Sequence, residues 1–244
     1  MTAETTLNTI HAWYDIANHG DSRRVLALAG PEYIRHEPDG TRAVTVYEYA
    51  AEVRQLIQTR GVLRWEYQAF AEGDVAFVTW IAHGHRDGPM SGVQAYRVAG
   101  GKLVETWLSA IAPVAWPAPP PTGNGDPEAN KRLLKRWYEE MYQQRRFAEL
   151  APQLCGPVFT RHEASGTFDV TAEEHGRRLA EAIAARDARE GRSPMIHEYR
   201  VFAAGDRVGV IATAAPNGPY VQAWRVEDGL LVESWWPGFA QADW

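Results

Sequence analysis

The stretch Gln94-Ala95-Tyr96-Arg97-Val98 is followed, past Gly100-Gly101, by Leu103-Val104-Glu105-Thr106-Trp107. It returns as Gln222-Ala223-Trp224-Arg225-Val226 and, past Asp228-Gly229, as Leu231-Val232-Glu233-Ser234-Trp235, an offset of 128 residues from Gln94 to Gln222. Aromatic and β-branched runs joined by a glycine-containing turn read as a β-hairpin. Upstream, Trp13-Tyr14 matches Trp137-Tyr138, Arg35-His36-Glu37 matches Arg161-His162-Glu163, and Gly73-Asp74 matches Gly205-Asp206. Five blocks kept in order define an internal repeat, so two equivalent domains share the chain.

Between the copies, Pro113 to Pro127 holds six prolines and ends in Thr122-Gly123-Asn124-Gly125-Asp126. Proline fixes φ and lacks a donor, so this segment reads as a semi-rigid extended linker. The expected organisation is a first domain over 1–112, a linker over 113–127 and a second domain over 128–244. In the first copy, Leu7, Ile10, Tyr14 and Ala17 recur at helical spacing up to Asn18–Gly20. A short second helix is expected from Asp21 or Ser22 to Ala29, stopped by Gly30-Pro31, and a third begins at Thr45. Residues 62–71, 74–85, 90–98 and 103–111 read as four strands. The second copy repeats the order, with helices near 128–144, 147–154 and 171–188 and strands near 195–203, 206–214, 219–227 and 230–238. Three helices and an antiparallel meander make an α+β unit.

The 244 residues are 45% hydrophobic and 23% charged, with a net charge of −6. Basic residues are interspersed with acidic ones, which argues against nucleic acid as a partner. The single cysteine, Cys155, excludes a disulfide framework and a cysteine-based metal site. The opening Met-Thr-Ala-Glu-Thr-Thr-Leu lacks both a basic region and an apolar run, and no apolar stretch suffices to span a bilayer. A soluble, cytoplasmic protein without membrane contacts is expected.

A two-residue Gly100-Gly101 turn pairs Ala99 with Lys102, Tyr96 with Glu105 and Gln94 with Trp107. Gln94, Tyr96, Val98, Leu103, Glu105 and Trp107 are then expected on one face, as are Gln222, Trp224, Val226, Leu231, Glu233 and Trp235. An aromatic wall with one amide and one carboxyl suits either a small-molecule pocket or a plain core with a solvated rim. The opposite face, with Ala95, Arg97, Val104 and Thr106, suits packing of one sheet on another. His36 and His162 follow short extended segments and precede glycine turns. Each is a candidate for proton transfer or a ligand to a backbone carbonyl. His83 and His85 share a strand face, but no further ligands accompany them, so no metal is expected.

Each half resembles a SnoaL-like domain of the nuclear transport factor 2-like superfamily. The resemblance rests on Trp-Tyr in the first helix, Tyr33-Ile34-Arg35-His36-Glu37-Pro38 with Gly40, the Gly-Asp turn, and Tyr-Arg-Val followed by Gly-Lys-Leu-Val-Glu-Thr-Trp. It implies a cone-shaped α+β barrel in each half, three helices on a curved antiparallel sheet around a conical pocket. It also implies pairing of the sheets, so the fused chain would be an intramolecular pseudo-dimer, itself a monomer or a homodimer. The family's cyclases place an acidic base where this chain has Gln94 and Gln222, and a pocket histidine at His36 and His162. The resemblance therefore implies a cofactor-independent enzyme of secondary metabolism, a cyclase, isomerase or dehydratase, acting on a hydrophobic polyketide-like molecule.

The catalytic candidates are His36, His162, Gln94, Gln222, Glu105 and Glu233. The substrate-binding candidates are Tyr14, Tyr96, Trp107, His83, Tyr138, Trp224 and Trp235. Two alternatives stand beside this reading. One is a non-catalytic binding or resistance protein using the same pocket; the other is an epoxide hydrolase using pocket carboxylates.

Overall fold

The structure, a computed structural model, describes every residue of the chain except Ser193, Ile196 and His197. In the first half, helix α1 (Ala3–His19) is capped by the Thr2 side chain and closed by Gly20 in the left-handed region, φ 73°. A 3₁₀ turn over Ser22–Arg24 leads into the one-turn α2 (Val25–Leu28). Gly30-Pro31 does not end a helix, as the sequence suggests, but lies inside strand β1 (Ala29–Glu37), which pairs with β2 (Gly40–Thr45). Helix α3 (Val46–Arg60) starts at Thr45, whose hydroxyl and Glu48 carboxylate form a reciprocal capping box. Strands β3 (Arg64–Glu72), β4 (Val75–His83), β5 (Met90–Ala99) and β6 (Lys102–Trp107) complete the unit.

The sheet order is β2-β1-β6-β5-β4-β3. The four expected strands are the antiparallel meander, but the sheet is mixed, because β1 returns parallel to β6. The second half repeats this with α4 (Pro127–Arg136), α5 (Phe147–Leu154), β7 (Cys155–Glu163), β8 (Gly166–Thr171), α6 (Ala172–Glu190), β9 (Glu198–Ala204), β10 (Arg207–Ala214), β11 (Tyr220–Glu227) and β12 (Leu230–Trp235). Its order, β8-β7-β12-β11-β10-β9, is the same. The strand expected near 195–203 begins at Glu198; residues 196 and 197 of that span lie outside the described residues. No described helix is long and apolar enough to cross a membrane.

Three apolar cores follow from this layout. One lies between helices and sheet in each half, around Tyr14, Tyr33 and Tyr96 and around Trp137, Phe159 and Trp224. The third joins the two sheets back to back: Phe77, Val93, Ala95 and Trp107 meet Ile211, Val221, Ala223 and Trp235. The linker contributes to this third core. Trp116 is 1% exposed, and its indole N–H donates to the Glu163 carbonyl of the second domain. The C-terminal segment makes the reverse contact, Trp244 donating to the Glu37 carbonyl of the first domain. The segment that follows the last strand of each half thus crosses onto the other half.

The hairpin register differs from the sequence expectation at one point. Ala99 pairs with Lys102 and Val98 with Leu103, but Arg97 then faces Glu105 and Ala95 faces Trp107. Val104 is an extra residue, a β-bulge, and Val232 is its counterpart, since Val226 faces Leu231 while Arg225 faces Glu233. A one-residue slip sends every later side chain to the other face. Gln94 and Tyr96 therefore share their face with Thr106, whereas Glu105 and Trp107 join Arg97 and Ala95 on the sheet–sheet side.

Candidate functional site

Each half encloses a cavity between its helices and the concave face of its sheet. The first, about 370 Å³, is walled by Trp13, Tyr14, Tyr49, Trp65, Trp80 and Tyr96. Its polar groups are Gln94 and a charged group comprising Arg35, Glu37, Glu52 and Arg60. Strand alternation explains why Arg35 and Glu37 face the cavity while His36 between them does not. Gln94 donates through its amide nitrogen to the Thr106 hydroxyl at 2.9 Å, and that hydroxyl donates to the Ala95 carbonyl. The Tyr14 and Tyr96 hydroxyls lie 3.5 Å apart. Burial pushes both phenols well above the ordinary tyrosine range, so both remain neutral donors. Trp80 adds an indole N–H that is buried without a partner among the described residues. Gly92 makes room for that indole, because a Cβ there would stand 2.5 Å from the Trp80 ring.

The carboxylates of this cavity are tied. Arg35 reaches Glu37 at 2.5 Å and Glu52 at 2.6 Å, and Arg42 reaches Glu37 at 2.7 Å and Glu52 at 2.5 Å. Hydrogen bonding from Arg42, with Arg35 beside it, holds Glu52 below the usual carboxylate range. A carboxylate so held is a weak base.

The second cavity, about 220 Å³, is lined by Trp137, Tyr138, Tyr142, Phe159, Gln222 and Trp236 among others. Trp137 and Tyr142 both reach it because Trp137–Tyr142 is a π turn, in which residues five apart come to the same side; their rings lie 5.7 Å apart. Tyr49 of the first half is replaced by His175, and among the described residues the charged ones lining the cavity are Arg161 and Arg186.

The expected site residues divide cleanly. Gln94, Tyr14 and Tyr96 line the first cavity, and Gln222 and Tyr138 line the second. Trp224 does not line it: it is fully buried in the core of its half. His36, Glu105 and Trp107, with His162, Glu233 and Trp235, lie on the opposite face of their sheets, moved there by strand alternation and the two bulges. His83 is on that outer side too, with its Nε2 3.4 Å from Glu66. These seven residues are corrected from pocket positions to outer-face positions.

The displaced residues build the same structural unit twice. His162 Nδ1 lies 2.7 Å from the Thr167 hydroxyl and Nε2 2.8 Å from Glu233, whose other oxygen accepts from Arg225 Nε at 2.8 Å. His36 makes the equivalent contacts with Thr41, Glu105 and, through Glu105, Arg97. Burial works against the charge on Glu105 and Glu233, but hydrogen bonds from histidine and arginine outweigh it and hold both below the usual carboxylate range. Each histidine stacks on a tryptophan of its own sheet, His36 on Trp107 and His162 on Trp235. The second tryptophan beside each comes from a crossing segment, Trp244 beside His36 and Trp116 beside His162. Each unit ties β1 to β6 or β7 to β12 at the domain interface.

Sequence reasoning missed Arg35, Tyr49, Glu52, Trp65 and Trp80, and Arg161, His175 and Arg186. A signal existed for some of them: in Arg-His-Glu on a strand, arginine and glutamate must share the face that histidine avoids.

Two cone-like α+β domains, each closing its sheet and helices over an aromatic cavity, define a small fused-domain protein. Residues 10–106 match the SnoaL-like domain family, and the second half repeats the topology of the first strand for strand. Similar solved structures include a polyketide cyclase candidate from Acidithiobacillus ferrooxidans. It is 20% identical over 43% of this chain and 86% of that one, with a TM-score of 0.39. A SnoaL-like polyketide cyclase candidate from Jannaschia is 17% identical over 43% and 85%, TM-score 0.39. An NTF2-like protein of unknown function from Mesorhizobium loti is 21% identical over 43% and 92%, TM-score 0.38. No curated protein matches the chain.

Proposed function

We propose that the first cavity binds a hydrophobic, polyketide-like small molecule and promotes its ring closure, isomerisation or dehydration without a cofactor. The observation that carries this reading is the cavity's make-up: six aromatic walls around neutral hydrogen-bonding groups, Gln94, Tyr14 and Tyr96. Aromatic walls hold a flexible substrate in a reactive shape, which alone supplies a large part of a cyclisation barrier. Neutral phenols donate to a carbonyl oxygen as it gains negative charge. The lowered carboxylate of Glu52 points away from strong-base chemistry and toward orientation.

That same state supports a second reading, a binding protein that carries or sequesters the molecule unchanged. Mass spectrometry of small molecules captured by the purified chain from a bacterial polyketide extract separates the two. Captured material consumed as a related product grows in, by wild type and not by Gln94→Ala or Tyr96→Phe, is the expected result. Material recovered unchanged would establish the binder, and no capture by any variant would refute both readings.

A further inference from the structure

The second cavity differs from the first in charge. The first is balanced, Arg35 and Arg60 against Glu37 and Glu52. Among the described residues lining the second, Arg161 and Arg186 are cationic and no carboxylate is present; their ion-pair partners, Glu163 and Asp187, do not line the cavity. The counterpart of Glu52 is Arg178, which turns outward to Glu174. The counterpart of Arg186 is Arg60, which is exposed and within 3.1 Å of His85.

Arg186 is 6% exposed. Its Nη2 donates to Asp187 at 2.9 Å, while Nε and Nη1 are buried with no acceptor among the described residues. Asp187 is not Arg186's alone, since Arg145 also donates to both of its oxygens. A second orphan lies three helical turns away on the same stripe of α6. Arg161 Nη1 donates to His175 Nδ1 at 3.2 Å, which leaves the proton of the neutral ring on Nε2. That Nε2 is buried and without a partner among the described residues. Burial, with Arg161 beside it, brings the His175 pKa down to about 3, so the ring stays a neutral donor. These three unpartnered nitrogens all lack acceptors rather than donors. Buried donors are costly to leave unmade, so an acceptor-rich group belongs beside the two free guanidinium nitrogens of Arg186, with His175 Nε2 a separate donor about 16 Å along the helix.

We infer that the second cavity is a binding site for a small organic acid, its carboxylate held by Arg186 and its apolar body lying against Leu179, Ile183, Met195 and Tyr220. A carboxylate meets a guanidinium with charge and directed oxygen acceptors, and the apolar stripe between the two basic ends receives a ring or short chain. The site is distinct from the first cavity and does not depend on the chemistry proposed there.

Calorimetric titration of the full chain at pH 7 tests this with benzoate, trans-cinnamate, octanoate, the three corresponding amides and inorganic phosphate. At least one acid is expected to bind ten-fold or more tighter than its amide, and ten-fold or more tighter than phosphate, which lacks an apolar body. Arg186→Met is expected to erase the preference for acid while leaving amide affinity within two-fold, and Arg186→Lys to restore part of it. The comparison of acid with amide in wild type stands even if a variant fails to fold. Equal binding of acid and amide, an unchanged preference in Arg186→Met, phosphate binding as tightly as the best acid, or no acid binding below 1 mM would each overturn the inference.

Discussion

Replacing His162 by alanine separates a structural histidine from a chemical one. The side chain is fully buried and makes two hydrogen bonds, one of them to a carboxylate. A buried hydrogen bond to a charged partner contributes about 1.5–3 kcal/mol. The parallel ring contact with Trp235, at 5.3 Å and 9°, adds about 0.5–1.5 kcal/mol. Glu233 keeps its bond to Arg225, so its charge is not wholly abandoned. The expected loss is roughly 3–4 kcal/mol of a total that is about 5–15 kcal/mol for an ordinary domain. His36 makes the same contacts but is 12% exposed, where water can replace part of what is removed, so His36→Ala is expected to cost about half as much. Urea denaturation of both variants, followed by tryptophan fluorescence, measures the two losses. A His162→Ala variant as stable as wild type but unable to turn over a captured substrate would refute the structural assignment.

Two further outcomes follow from the cavities. His175 has a folded pKa near 3 against about 6.5 unfolded, so between those values the unfolded chain binds the extra proton and stability falls as pH falls. His175→Tyr, which installs the residue of the first half, is expected to flatten the stability profile between pH 6.5 and pH 3 by up to ~4 kcal/mol; an unchanged profile would contradict a neutral buried ring. Gly92→Ala drives a methyl into the Trp80 indole and is expected to cost about 1–3 kcal/mol in a thermal melt and to shrink the first cavity. A melting temperature equal to wild type would show that Trp80 has room to yield.

Much of this fold was legible in the residues because its signals are local. Gly20 after α1, Thr45 before α3 and the glycine turns act over a few positions, and repetition doubled each of them. The parallel return of β1 onto β6 was not legible, since nothing in Gly30-Pro31-Glu32-Tyr33 says which strand it will meet. The site was read less well than the fold for one physical reason. Continuous pairing from the Gly100-Gly101 turn gives every residue a partner, whereas Val104 has none, and this one bulge inverts all that follows. Gln94 and Tyr96, on the uninterrupted strand, kept their face; Glu105 and Trp107, beyond the bulge, lost it. Nothing local marks Arg186 as buried: its counterpart Arg60 has the same residue type and is exposed, so the surrounding fold decides the difference.

The crossed tails, Trp116 on the second domain and Trp244 on the first, make separation of the halves a loss for both. In a symmetric dimer of single domains, every substitution is made twice, and an arginine useful in one cavity would appear in the other as well. A tethered pair escapes that rule. The tether keeps the partner at high effective concentration, so the shared face can persist while the two cavities change independently. Tyr49 against His175 and Glu52 against Arg178 are such independent changes, and one gene product can thereby present two cavities of different charge on a single scaffold.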